Sequence, residues 1–276
     1  MIELPEASTI GRQLEETIKG KRILECDMGK SDRKWVFFGP SKEIVKNHLM
    51  KKTVGKITSA GRSIHIGLMP DQAIVMDEFG GKVLYHNPDA KLPKKYDLII
   101  EFEDHSCLTV VIQMWGFIST YEQWKKNKWV IIRANALSPV DAAFSLKKFN
   151  DFIDQYEDKE KESIKTFFTN GKSIAGIGNG YLQDILFRAK ISPKRKVGNI
   201  TPEEAKALYK AVKETIRQAI SENGRTSERD LFDKPGNYSP IMDKSAIGKP
   251  CLNCGTAIKK ISYLGGSCYI CPNCQR

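Results

Sequence analysis

The sequence has no apolar run near the ~20 residues needed to cross a bilayer, and its opening MIELPEAST lacks the basic and apolar stretches of a secretory signal. A cytoplasmic protein is the expectation. Acidic residues are in deficit: 33 Asp and Glu stand against 44 Lys and Arg, a formal charge of +11. Such a surplus attracts polyanions, with nucleic acid the first partner to consider and an anionic membrane surface the second. Cysteine is almost missing from the first 250 residues, where only Cys26 and Cys107 occur, while five cysteines crowd the last 26. In a cytosolic chain such clustering points to a metal rather than to disulfides. An apolar fraction of 41% argues against wholesale disorder, and 276 residues suffice for two domains or for one with an appendage.

Along the chain, ASTIGRQLEETIKGK reads as a helix. Ile10, Leu14 and Ile18 share one face, Ser8 or Thr9 caps it, and Gly20 ends it. Between residues 21 and 130 the pattern turns to short β-rich runs (KWVFFG, KITSAGRSIHIGL, AIVMDE, KVLYH, YDLIIEFE, CLTVVIQMWGF) broken by turn signals. Short connections suggest an antiparallel sandwich or barrel. A helical stretch follows. Its last segment opens with Thr201, Pro202 and Glu204, a capping signature ahead of the apolar stripe Ala205, Leu208, Val212, Ile216 and Ile220. The expected fold is α+β and multidomain. A β-sandwich with a flanking helix occupies 1–130, a helical linker 131–160, a helical domain 161–247 and a small cysteine module 248–276.

Two motifs stand out. Cys251-Leu-Asn-Cys254 and Cys271-Pro-Asn-Cys274 are C-x-x-C pairs flanking a hairpin-like GTAIKKISYLGGSCYI. Four thiolates on two tight turns suit tetrahedral zinc, with no position left open for chemistry, so one structural zinc ion is expected. Cys268 falls outside the spacing and reads as a small core residue. The hairpin carries Lys259, Lys260 and Arg276 toward a partner. The second motif, IAGIGNGYLQD from Ile174, sets three glycines in a helical context, where each costs about 1 kcal/mol. Either it is a plain turn between helices, or the backbone there must approach something closely.

The order ELPE, GIGN and a terminal CPNCQR hairpin resembles the formamidopyrimidine-DNA glycosylase and endonuclease VIII family of base-excision repair enzymes. The resemblance spans nearly the whole chain and is strongest over IAGIGNGYLQDILFRAKISP and GKPCLNCGTAIKK…CPNCQR. It implies a helix–two-turns–helix domain and a zinc-finger hairpin that together hold damaged double-stranded DNA, the protein acting as a monomer. On this likeness Asn179 contacts phosphate, with Gly178 and Gly180 leaving backbone N–H groups uncovered and Lys259 adding charge.

The resemblance also assigns the chemistry. Family members begin Met-Pro-Glu-Leu-Pro-Glu, and the freed proline amine attacks the sugar of the damaged nucleotide while a glutamate moves protons. Here Glu3 and Glu6 match the acidic positions, but Ile2 replaces the proline. A bulky second residue favours retention of Met1, whose primary amine then lies one residue early. Arg62 falls where the family has an active-site lysine; it keeps the charge but is no nucleophile. Phe79 aligns with a wedge residue that fills the gap left by a flipped base. Met114 and Trp115 align with two further gap-filling positions, without the arginine that pairs with the orphaned base. The hairpin's phosphate-binding arginine aligns with Gly266. The implied function is a DNA glycosylase with possible lyase activity; the alternative is a damaged-DNA-binding protein that has kept the grip and lost the imine chemistry.

Overall fold

The computed structural model describes residues 1–29, 33–133 and 135–276. Residue 134, within the stretch read as a linker, lies outside them. The chain divides into two compact units, Met1–Ile132 with Ile220–Tyr238, and Arg133–Ala219 with Ser239–Arg276. Sequence assigned the loop 220–238 to the helical domain. It belongs instead with the sandwich, tied there by Gln13, which donates to Asp230 at 2.9 Å and accepts from the Leu231 amide at 3.0 Å.

In the first unit, helix α1 (Leu4–Ile18) precedes strands β1 (Ile23–Met28) and β2 (Val36–Gly39), helix α2 (Lys42–Leu49) and strands β3 (Thr53–Ala60), β4 (Ser63–Met69), β5 (Gln72–Asp77), β6 (Gly81–His86), β7 (Leu98–Phe102), β8 (Cys107–Ile112) and β9 (Gly116–Thr120). They form a four-stranded sheet, β1-β7-β8-β6, and a five-stranded sheet, β2-β9-β5-β4-β3. Period-2 alternation sends one face of each sheet inward, as in β7 with Leu98, Ile100 and Phe102 buried. The core joins Ile100, Leu108 and Val110 of one sheet, Ile64, Ile74 and Ile118 of the other, and Ile10, Leu14 and Ile18 of α1. The pairing is antiparallel, as expected, except that β2 runs parallel to β9. No tight turn joins these two strands, so nothing local dictates an antiparallel pairing.

The start of α1 differs from expectation. Its N-cap is Glu3, not Ser8 or Thr9, and Pro5 sits in its first turn, where the missing N–H costs nothing. Glu6 reaches back to accept the Glu3 amide at 3.0 Å. Thr9 donates its hydroxyl to the Pro5 carbonyl within the helix.

In the second unit, helices α3 (Tyr121–Trp124) and α4 (Lys128–Arg133) having led out of the sandwich, α5 (Leu146–Asp154), α6 (Ile164–Thr169), α7 (Asn179–Arg188) and α8 (Pro202–Ser221) pack about Phe149, Phe167 and Phe168, with ring centroids 5.4–6.3 Å apart. The capping signature of α8 is realised: Thr201 accepts from the Glu204 amide at 3.2 Å and Glu204 from the Thr201 amide at 2.9 Å. Strands β10 (Lys259–Tyr263) and β11 (Gly266–Ile270) make the terminal hairpin. Asp184 of α7 is fully buried and accepts the amides of Ile241 at 3.0 Å and Met242 at 2.7 Å, anchoring the strap that leads to this hairpin. In Asp184→Asn one of those amides meets an N–H₂ donor. We expect a loss of about 2 kcal/mol, read as a lowered denaturant midpoint; an unchanged midpoint would remove the strap's dependence on this carboxylate.

Candidate nucleic-acid interface and active site

Four cysteine thiols converge at the base of the hairpin. The sulfur atoms of Cys251, Cys254, Cys271 and Cys274 all lie within 4.8 Å of one another, with Sγ–Sγ separations of 3.9 Å for Cys251–Cys274 and 3.5 Å for Cys254–Cys271. A tetrahedron of thiolates about 2.3 Å from zinc has edges of about 3.8 Å, so the donor set fits that ion. Backbone amides of Asn253 and Cys274 approach the sulfurs of Cys251 and Cys271 at 3.4 Å. Cys268 is fully buried, as a core residue. Lys259 is exposed at the start of β10.

The start of α7 is joined to this hairpin. Asn179 donates to the Ser267 carbonyl at 3.2 Å, and Gln183 donates both to that carbonyl, at 3.2 Å, and to the Asn179 side-chain oxygen, at 2.8 Å. Gln183 also accepts the Tyr269 amide at 3.1 Å. Of the three glycines in GIGNG, only the one before this turn, Gly176, takes a positive φ, +76°. Gly178 is the extended N-cap of α7, and Gly180 lies in its first turn. Helix starts leave N–H groups without intrahelical acceptors, and the positive dipole end favours an anion there. Lys165 adds a cation at the hairpin: it is buried, donates to the Tyr263 carbonyl at 2.8 Å, and its nitrogen lies 3.3 Å from where a Cβ on Gly266 would stand. Sequence reasoning missed Gln183 and Lys165, since nothing in their spacing marks them.

The other candidate residues lie in the first unit. Glu3 and Glu6 are each 3% exposed and share one cation. Arg225 donates to Glu6 from Nε at 3.1 Å, approaches Glu3 from Nη1 at 3.3 Å and donates to the Met1 carbonyl from Nη2 at 2.7 Å. Its own amide donates to Glu6 at 3.0 Å. The preceding Gly224 makes this approach possible: its φ is +88°, and a Cβ there would stand 2.9 Å from the Glu6 Cγ. The Met1 amine pairs with Glu228 at 2.9 Å. Arg62 occupies the β3–β4 turn rather than a strand, 3.6 Å from Glu78 and with Nη1 4.0 Å from the Met1 sulfur. The structure therefore brings Met1, Glu3, Glu6 and Arg62 together, and adds Arg225 and Glu228. No sequence signal pointed to those two; they belong to a loop read only as polar and glycine-rich.

The wedge expected at Phe79 is corrected. Phe79 is 1% exposed and belongs to the sandwich core, because the chain turns it inward between β5 and β6. Its backbone is what serves the site, since its carbonyl accepts the Ile2 amide at 3.1 Å. Met114 and Trp115 are exposed at the β8–β9 corner.

Comparison with known proteins bears on both units. The formamidopyrimidine-DNA glycosylase N-terminal domain model matches residues 1–113, and the formamidopyrimidine-DNA glycosylase H2TH domain model matches residues 136–230. A formamidopyrimidine-DNA glycosylase of Listeria innocua is 26% identical, with all of both chains covered. Its namesake in Lactobacillus gasseri is 28% identical, over 100% of this chain and 99% of that one. The Lactococcus lactis Fpg, solved with N7-benzyl-Fapy-dG DNA, superposes with a TM-score of 0.86 at 23% identity over 99% of each chain, which speaks for the fold. Among the described residues no helix is long and apolar enough to cross a membrane. With its two domain models spanning most of the sequence and full-length relatives in agreement, the chain belongs to the formamidopyrimidine-DNA glycosylase family.

Proposed function

We propose that the protein is a DNA-repair glycosylase that binds damaged duplex DNA, turns a lesion nucleotide out of the stack and cleaves its bond to the sugar. The observation that carries this reading is the joint of Asn179 and Gln183 to Ser267, which couples a helix start to the zinc-fitted hairpin. The two elements then act as one phosphate grip, in which Gly178 and Gly180 keep the backbone uncovered and Lys259 adds charge. Phosphate contacts position the duplex, and selection falls on bases that are cheaper to unstack. Met114 and Trp115 fill the vacated space.

This member lacks the family's catalytic proline. Ile2 stands there, buried, its nitrogen a peptide amide already donated to Phe79. The amine that remains is that of Met1. Glu228, 2.9 Å away, is placed to accept its proton. The lone pair so freed forms a bond to C1′ of the lesion nucleotide. The sugar–base bond breaks, its electrons leave on the base, and Glu3 or Glu6 moves the protons. Arg62 supplies positive charge beside the amine. The C1′–O4′ bond then opens with a proton to O4′, leaving the nitrogen doubly bonded to C1′ as an imine, and removal of a proton from C2′ expels the 3′ phosphate in a lyase step.

A second reading has one observation in its favour: Arg225 already engages both carboxylates, and Ile2 is fixed in the core. On that reading the protein binds damage without the imine chemistry. Borohydride separates the two, because only an imine is reduced to a stable cross-link. Trapping on abasic DNA that survives in wild type and vanishes when the Met1 amine is acetylated supports the first reading. Excision without trapping leaves a glycosylase in which Glu3 activates water, and binding with neither leaves the clamp.

Glu3→Gln should slow base excision by at least about a hundredfold while DNA affinity holds within a few-fold. Excision at the wild-type rate would remove Glu3 from the reaction. Asn179→Ala should weaken binding to all DNA sequences alike, since phosphate carries no sequence information; a sequence-dependent loss in binding assays would refute that role. Chelation should unfold the segment from Cys251 to Arg276 and lower DNA affinity, because the metal supplies that module's folding energy. Affinity unchanged after complete metal removal would leave the hairpin no part in the grip.

A further inference from the structure

Glu78 stands where a glycine would be at ease. It lies in the connection between β5 and β6 with φ at +47°, in the left-handed region that crowds a Cβ. Asp89, Asn223 and Asp233 adopt positive φ as well, but their short polar side chains suit it and that of glutamate does not. The backbone is held on both sides of this residue. Asp77 accepts the Trp124 indole N–H at 2.9 Å, and Phe79 is packed into the sandwich core. A side chain kept against such strain, beside a candidate active site, points to a task for its carboxylate.

The carboxylate has a partner. Arg62 lies 3.6 Å away, and the side chains of Arg62 and Glu78 are only 13% and 29% exposed. The arginine rides on a tight turn: Ala60 and Ser63 pair across the ends of β3 and β4, and the Ser63 hydroxyl donates to the Ala60 carbonyl at 2.9 Å. Its Nη1 comes to 4.0 Å from the Met1 sulfur. Glu78, Arg62 and Met1 therefore form a row that ends on the terminal residue.

That row acts on one rotation. The Met1 carbonyl accepts from Arg225 at 2.7 Å, the Ile2 amide donates to Phe79 at 3.1 Å, and the Met1 amine pairs with Glu228 at 2.9 Å. With the peptide plane so pinned, the amine and the thioether turn together about the Cα–C bond, because both hang on one tetrahedral carbon. While the amine is charged, Glu228 sets that rotation. Once the proton has passed to Glu228 the ion pair is gone, and the grip on the side chain keeps the lone pair in line. Misplacement by about 1 Å at such a moment costs about a hundredfold in rate.

We propose that Glu78 is a positioning residue: it steers Arg62 onto the Met1 thioether and so holds the terminal amine in its reacting direction. The inference rests on the proposed function, in which that amine attacks the sugar. It gives the Met1 side chain a part in the reaction, and it explains why a carboxylate occupies a backbone site suited to glycine.

The experiment uses the full-length zinc-loaded protein, with isotope-labelled methionine methyl groups for NMR, and abasic duplex DNA. Two variants remove the ion pair: Glu78→Gln keeps the shape, and Glu78→Gly also relieves the backbone. In both, the single-turnover rate of borohydride trapping should fall about tenfold while the Kd for DNA holds within about threefold. The thermal midpoint of Glu78→Gly should equal or exceed that of the wild type, which a purely structural ion pair would not allow. The Met1 methyl resonance should narrow in both as the side chain comes loose. Unchanged trapping rates in both variants, or an unchanged Met1 resonance, overturn the assignment while leaving the proposed function standing. Affinity that falls in step with the rate places the pair on the DNA, and a midpoint lowered in both variants makes the carboxylate structural; either overturns it too. A wild type that never traps on abasic DNA sinks the imine reading, and this role of Glu78 with it.

Discussion

The first unit depends on one buried cation. Arg225 holds Glu3 and Glu6, both nearly inaccessible, and reaches the Met1 carbonyl as well. Carboxylates taken out of water are costly unless paired and hydrogen-bonded, and here a single guanidinium does this for two. Its five donors in a planar fork explain why arginine occupies the position: the point charge of lysine would not span both carboxylates and a carbonyl. The contact also closes a long loop, joining the first turn of α1 to a segment more than two hundred residues away. Gly224 and the loop about it then follow as geometric requirements of bringing that guanidinium in.

The second unit repeats the logic with neutral groups. Asn179 and Gln183 stand one helical turn apart on α7, so their side chains share a face. Both reach the Ser267 carbonyl, and Gln183 returns an acceptor to Tyr269. The hairpin shares a small apolar cluster with α7, in which Phe187 packs with Met242, Ile258 and Cys271, and these hydrogen bonds and the four thiolates add direction to that contact. Asp184, the next residue, holds the incoming strap through the amides of Ile241 and Met242.

What could be read in the sequence follows from which signals are local. The two C-x-x-C pairs and the capping residues Thr201 and Glu204 work through neighbours three or four positions away, and spacing reveals them. The alternation of apolar residues gave the strands, since a pleated chain repeats every second residue. It did not give the parallel pairing of β2 with β9, because direction is set by the path between strands and not by the strands. Arg225, Glu228 and Lys165 lay beyond reach for the same reason: each acts on residues far along the chain. Glu3 was legible as a matching carboxylate but not as the helix cap, a role that Pro5 and Glu6 impose on it. Phe79 misled because alignment carries position without facing. A residue between two strands of a sandwich turns inward or outward by a rotation that no motif records.

That inward turn has a consequence for the site. With its ring in the core, the stretch Phe79–Gly81 offers only backbone, and the backbone is used on both sides. Phe79 accepts the Ile2 amide, while Gly80 exchanges hydrogen bonds with Trp115 and Gln113. One short connection between β5 and β6 thus fixes the terminal amine and carboxylates on one flank and the exposed aromatic corner on the other. A side-chain wedge would fill a gap by itself and could move by itself. A buried anchor instead sets the distance between the terminal segment and the exposed aromatic corner. With the Ile2 amide held by the Phe79 carbonyl, that fixed spacing also sets where Met1 can lie. The same core packing that turns the Phe79 ring inward therefore ties the position of the terminus to that of the aromatic corner.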